Sequence, residues 1–138
     1  MKLNGFKDNG ERRSFIIQKY IEAPLLYKGR KFDIRVFMLI TWVNGKIRAY
    51  FYEPGYVRTS SKEFNLTNID NRFIHLTNEA VQKRGDSFGK HESGNKLHFD
   101  ELGKYILSMQ SDKEPEEIVS FKDHIHPKIK VFFCVVKN

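Results

Sequence analysis

Residues 36–52 read VFMLITWV-NG-KIRAYFY, two apolar-aromatic runs joined by Asn44-Gly45. Asn-Gly between such runs is the strongest short-range signal for a two-residue type I′ turn, since both central positions need positive φ. A type I′ turn fixes the register of everything it joins. With Val43 facing Lys46, Leu39 faces Tyr50 and Phe37 faces Tyr52. The sequence therefore predicts an antiparallel hairpin over about 31–52.

Period-two alternation sorts this hairpin into two faces. One carries Ile34, Val36, Met38, Ile40, Trp42, Ile47, Ala49 and Phe51 and reads as the main core. The other carries Phe37, Leu39, Tyr50 and Tyr52 and, toward the start of the strand, Lys31, Asp33 and Arg35. That second face is apolar in its middle and charged at one end, the shape of a cleft with a polar mouth. Exposed ion pairs at a strand end would look the same and contribute only about 0–1 kcal/mol. Against that bland reading, two cations flanking a carboxylate suit a nucleotide. Cations pair with phosphate oxygens, and a carboxylate accepts hydroxyls or helps hold magnesium.

The rest of the chain is less regular. Residues 1–14 are polar and read as a leader or loop. FIIQKYI at 15–21 is β-prone and stops at Pro24, so a short strand is expected, followed by a loop through Tyr27, Lys28, Gly29 and Arg30. Glu53-Pro54-Gly55 is expected to end the hairpin and to deliver Arg58 into a Ser/Thr-rich loop. Residues 73–78 (FIHLTN) read as a short strand, and 83–96 (KRGDSFGKHESGNK) as a mobile surface loop. Phe99, Leu102, Ile106 and Met109 recur at helical spacing behind Asp100 and Glu101, which predicts a helix over about 99–109. Ile125, Ile129, Phe132, Phe133 and Val136 mark a second helix, with Pro127 in its first turn.

The 138 residues, 40% of them hydrophobic, are enough for one packed domain or part of a larger one. No apolar run approaches the roughly 20 residues of a membrane span. The N-terminus lacks the apolar stretch of a secretory signal, which favours cytosol or nucleus and no membrane partner. Cys134, the single cysteine, lies among apolar neighbours and reads as an inert packed thiol. A net charge of +7 favours an acidic partner. The cations are dispersed, with no basic block, RNP-like motif or zinc-finger spacing, which argues against nucleic acid.

Several residues outside the hairpin fit the nucleotide reading. Gln18, Lys19, Tyr20 and Ile21 leave the core in an extended segment whose backbone groups suit an adenine edge. Arg58 suits a bidentate carboxylate clamp, and Thr77-Asn78 offers a hydroxyl and an amide to ribose or phosphate. Each has an ordinary structural alternative: an edge strand, a solvated loop arginine, an Asx or Ser/Thr turn. His75, between Ile74 and Leu76, reads as a satisfied core histidine, and Glu63-Phe64-Asn65 as turn chemistry.

In order, QKYIEAPLL, GRKFDIRVFML, YVRTSS, HLTNEAVQK and GNKLHFDEL resemble consecutive motifs of the tubulin-tyrosine ligase and tubulin-tyrosine ligase-like family, over about residues 16–102. The resemblance implies an α+β, partial ATP-grasp fold, with antiparallel sheet and C-terminal helices, over residues 15–138. It implies an ATP-dependent ligase that adds tyrosine, glutamate or glycine to the tail of tubulin or a related acidic polypeptide through an acyl-phosphate. ATP, Mg2+ and a free amino acid are the implied cofactors and substrate, and microtubules in the cytoplasm, cilium or basal body the implied location. Carried over by position, Gln18, Lys19, Tyr20 and Ile21 are the adenine-contacting hinge, and Lys31, Asp33, Thr77 and Asn78 contact nucleotide. Arg35 and Arg58 hold carboxylate or acyl-phosphate oxygens, and Lys96 helps hold the amino acid. The family's lysine-bearing phosphate segment is expected upstream of Met1, and its magnesium ligands after the last helix, so the isolated chain is expected to be inactive. A catalytically silent tubulin- or nucleotide-binding module is the alternative. Glu79 stands where glutamate-adding members often have tyrosine.

Overall fold

The computed structural model describes Gly5 and residues 8–134, with side chains through Val131. Its centre is a four-stranded antiparallel sheet in the order β1 (Leu26–Tyr27), β2 (Arg30–Val43), β3 (Lys46–Glu63), β4 (Lys96–Leu97). Between β3 and β4 lie two single-turn helices, α1 (Arg72–His75) and α2 (Glu79–Gln82), and a 3-10 turn at Ser93–Asn95. After the sheet come α3 (Phe99–Ser108), a π turn at Phe121–Ile125 and α4 (His126–Cys134). The fold is α+β, consistent with part of an ATP-grasp domain.

The predicted hairpin forms in the predicted register, with Val43 opposite Lys46, Leu39 opposite Tyr50 and Phe37 opposite Tyr52. Asn44 and Gly45 take φ of 50° and 74°, as a type I′ turn requires. The expected loop at 27–30 is a second turn of this kind, with Lys28 at φ 48° and Gly29 at 74° joining β1 to β2. Lysine is an unusual occupant of that conformation, which is why composition did not mark the turn.

Glu53-Pro54-Gly55 does not end the hairpin. These residues form a bulge opposite Val36, between the pairs Phe37–Tyr52 and Arg35–Tyr56, and β3 runs on to Glu63. In a bulge the missing proline N–H breaks no ladder bond, so Pro54 is tolerated mid-strand. Arg58 consequently lies on β3, paired with Asp33 on one side and Lys96 on the other, and not in a loop. Gly55 is required here for space. A Cβ would stand 2.5 Å from the Arg35 carbonyl oxygen and 2.6 Å from the Phe99 ring.

Three further expectations are corrected. Residues 15–21 form no strand. They run beside the domain with Ile16 and Ile17 almost fully exposed, because β-propensity without a partner edge makes no ladder. Residues 72–75 are helical, initiated by Asn71, whose side chain accepts from the Phe73 N–H at 3.1 Å. The glycine-rich stretch is anchored where Glu92 and Asn95 bond into the sheet.

The core also sits lower than the pattern implies. Tyr27, Val57, Leu97, Leu102, Ile106 and Phe121 are buried together, with Phe32, Ile34, Phe99, Tyr105 and Ile125 packed against them. The arm beyond the bulge is largely bare, and Trp42 is 76% and Ile47 60% exposed. Among the described residues it is the bulge-proximal part of that face that meets the helical layer, Phe51 lying 5.9 Å from the His126 ring. α3 carries the predicted helix, closed at its start by a capping box of His98 and Glu101. Pro127 is the second residue of α4. Lacking an N–H to donate, it coincides with the π-to-α junction that divides the second predicted helix. The thiol of Cys134 lies outside the described side chains.

Candidate functional site

Alternation along β2 puts Asp33 and Arg35 on one face, and the register adds Arg58 and Tyr56 from β3 and Lys96 from β4. Asp33 and Arg58 are joined side-on: Arg58 Nε donates to Asp33 Oδ1 at 2.8 Å and Nη2 to Oδ2 at 2.6 Å. The buried Thr77 donates its hydroxyl to the same Oδ2 at 2.6 Å, tying the segment after α1 to the sheet. Donation to Asp33 raises the Arg58 pKa above its ordinary value, so the guanidinium stays charged. Arg58 keeps its remaining N–H donors, of the five an arginine has, for a further anion. Asp33 has most of its acceptor capacity engaged in holding Arg58 and Thr77.

Lys31 takes a different partner. Its ammonium donates to the Tyr20 hydroxyl at 3.1 Å, and that hydroxyl meets His75 Nδ1 at 2.8 Å. His75 Nε2 lies 3.0 Å from the Asn68 carbonyl, which can only accept. Nε2 therefore carries the proton, and Nδ1 accepts from Tyr20. His75 is thus a buried, satisfied histidine, as its apolar neighbours predict. Through Tyr20 it also fastens the 18–21 segment to Lys31. Lys19, Tyr20 and Ile21 line a surface hollow there, and Gln18 is exposed beside it.

Arg35 is exposed, with its guanidinium 5.4 Å from the Phe37 ring centroid. Asn78 is the N-cap of α2, its carbonyl accepting from the Val81 and Gln82 N–H groups while its side chain makes no cap bond. Lys96 points across the face to Glu79, 2.7 Å away, and lies 5.4 Å from the Tyr56 ring. The structure therefore gathers Asp33, Arg58 and Thr77 into one knot, flanked by Lys96 and Arg35 on the same face. Lys31 and Tyr20 form a second group, and Gln18 and Asn78 stand at the margin.

Two participants had little or no site signal in the sequence. Glu79 bridges Lys83 and Lys96, each at 2.7 Å, and these two ammonium donors pull its pKa down to about 2. The i,i+4 spacing of Glu79 and Lys83 was visible, but the reach to Lys96 needed the fold. Beneath the face, Arg30 is 2% exposed and bonds the Ser60 carbonyl at 3.2 Å and Glu92 at 2.9 Å. Glu92 also accepts from Thr59 at 2.8 Å. Burial pushes the Glu92 pKa up, and donation from Arg30 and Thr59 more than reverses this, leaving it below the usual carboxylate value. This pair secures the segment that ends in Lys96.

Among the described residues no group of three or more His, Cys, Asp or Glu side chains converges to hold a metal ion, and no helix is long and apolar enough to cross a membrane.

The profile of the Tubulin-tyrosine ligase family matches residues 1–132, beyond both ends of the motif span. The chain is 35% identical over 123 residues to the Probable tubulin polyglutamylase TTLL9 of Rattus norvegicus, covering 88% of this chain and 26% of that protein. It is 35% identical over 120 residues to its counterpart in Bos taurus, covering 86% and 25%. To Tubulin glycylase 3B of Tetrahymena thermophila it is 34% identical over 121 residues, covering 88% and 10%. The chain thus spans about a quarter of the length of the polyglutamylase relatives. With the profile matched over nearly its whole length, the chain belongs to the tubulin-tyrosine ligase family.

Proposed function

We propose that these residues form part of an ATP-dependent ligase that joins an amino acid to the acidic tail of tubulin, or of a related protein, through an acyl-phosphate. The observation that carries this reading is the knot at the start of β2, where Asp33 and Thr77 orient Arg58 beside Lys96 on an otherwise open face. Orientation matters because a donor fixed in advance stabilises developing negative charge without a reorganisation cost during the reaction. A cationic, partly buried arginine suits the oxygens of a carboxylate under activation, since they gain and then lose a phosphoryl group.

The residues present fit a nucleotide in part. Lys31 and Arg35 offer cations to phosphate oxygens, and the 18–21 segment, fastened by Tyr20, offers backbone groups to a base. Bound ATP with magnesium would supply the phosphoryl group and neutralise its charge. On this reading the magnesium ligands come from sequence outside these residues. The polyglutamylase and glycylase names of the relatives support tubulin as acceptor and glutamate or glycine as the added residue. Such work belongs on microtubules, and the +7 charge suits an acidic tail.

The test is transfer of isotope-labelled glutamate, glycine or tyrosine to tubulin by the full-length polypeptide carrying these residues, with ATP and magnesium. ATP-dependent incorporation that Arg58→Lys lowers by about 10²-fold or more, the scale of losing a positioned charge donor, supports the reading. Tubulin left unlabelled by a folded full-length protein with all three amino acids contradicts it.

A further inference from the structure

Glu79 is a carboxylate on the cationic side of the site that belongs to neither the Asp33 knot nor the buried Arg30 pair. It sits in the first turn of α2, with one carboxylate oxygen held by Lys83, the C-cap of that turn, and the other by Lys96 of β4. The three side chains are open to solvent: Glu79 is 33%, Lys96 38% and Lys83 59% exposed. Arg58, the sheet neighbour of Lys96, also feels the Glu79 charge. A glutamate carboxylate thus already lies between two ammonium groups at the rim of a site that, on the reading above, must accept polypeptide carboxylates.

We propose that Glu79 is a tethered competitor for the acidic acceptor, and that a glutamate side chain of the incoming polypeptide binds Lys83 and Lys96 by displacing it. This rests on the proposed function, and it goes further in assigning the acceptor's docking point and a built-in brake on it. The rim position argues for an extended chain and against an enclosed free amino acid. Alternate side chains of a strand-like acidic segment repeat every two residues and can engage successive cations along an open edge. Exposed ion pairs exchange readily, because water and salt compensate most of what each contributes. The internal pair therefore costs the acceptor affinity without blocking it.

The experiment measures binding of a fluorescent oligoglutamate peptide to the chain without nucleotide, so ligase chemistry does not enter. Glu79→Gln, which removes the competing charge and preserves side-chain size, is expected to tighten binding by about three- to tenfold at low salt, with the gain shrinking at about 0.5 M salt. Adding Lys96→Met to Glu79→Gln is expected to abolish the gain. Glu116→Gln, an equal charge change on the exposed acidic loop, is expected to leave affinity within twofold of wild type, about 0.4 kcal/mol. Unchanged or weaker binding by a folded Glu79→Gln overturns the proposal. So does an equal gain from Glu116→Gln, or failure of every variant to bind the peptide. Lys96→Met alone, expected to weaken binding about threefold, keeps the test decisive if Glu79→Gln does not melt like wild type. A protein that shows this exchange yet labels no tubulin refutes the ligase reading and leaves the docking point standing.

Discussion

Replacing Glu92 with alanine isolates the interaction that seats Lys96 beside Arg58. In the native fold the Glu92 carboxylate receives both terminal nitrogens of Arg30 and the Thr59 hydroxyl, with the Arg30 side chain 3% and the Glu92 side chain 13% exposed. Truncation leaves the guanidinium buried with the Ser60 carbonyl at 3.2 Å and the face of Tyr27 at 5.9 Å as its remaining polar and ring partners among the described residues. An orphaned buried charge of this kind costs about 3–5 kcal/mol. A domain of this size has about 5–15 kcal/mol in total, so the loss is a large fraction of it. The melting temperature should fall by roughly 10–20 °C, and the urea midpoint should drop in proportion with its slope unchanged. The double variant Arg30→Met/Glu92→Leu removes both charges and should recover most of the loss, because well-packed apolar groups replace buried pairs at little cost. A loss below about 1 kcal/mol for Glu92→Ala, the value of a surface pair, would refute the claim that this ion pair is buried and anchors the 83–96 segment.

Other perturbations probe separate parts of the account. Gly55→Ala should destabilise by about 1–3 kcal/mol in a thermal melt, since its methyl would meet β2 backbone and the Phe99 ring. Thr77→Val removes a 2.6 Å bond to Asp33 and should cost about 1–2 kcal/mol, measured by urea titration. Trp42→Ser should change stability by less than about 0.5 kcal/mol, since the indole is 76% exposed. For pH, Glu79 has a folded value of about 2 against an ordinary 4.5, while Glu92 and, through Lys130, Glu53 are also lowered. Depressed folded values contribute stability that is fully present above about pH 4.5 and lost as pH falls through the folded values. Urea midpoints should therefore hold between pH 7 and 5 and decline from pH 4.5 downward, less steeply in Glu79→Gln.

The hairpin was legible because its turn chemistry and its alternation agree: the turn fixes the register and the alternation sorts the faces. The failures share one physical origin. Pro54 and the FIIQKYI run were judged by local propensity, whereas a bulge accommodates the proline and, among the described residues, no strand pairs with the run and its isoleucines are exposed. The apolar arm face reads as core in any one-dimensional pattern, because alternation shows which side chains share a face and not whether anything packs on it. At the site, Lys31, Asp33 and Arg35 were marked by spacing, and Thr77 by its neighbours. The Asp33–Arg58 pairing appears only when β3 is allowed to continue past its bulge. The reach of Glu79 to Lys96 and the role of Glu92 were illegible for a related reason. Their partners, Lys96 and Arg30, come from distant segments that only the fold brings close.

If the charged face at the start of β2 receives a nucleotide, titration of ATP into wild type, Lys31→Ala and Asp33→Ala will show it. Binding is expected in wild type and its loss in both folded variants, through a missing phosphate partner in the first and, in the second, loss of the carboxylate that ties Thr77 to the nucleotide face. Equal affinity in all three proteins would contradict it.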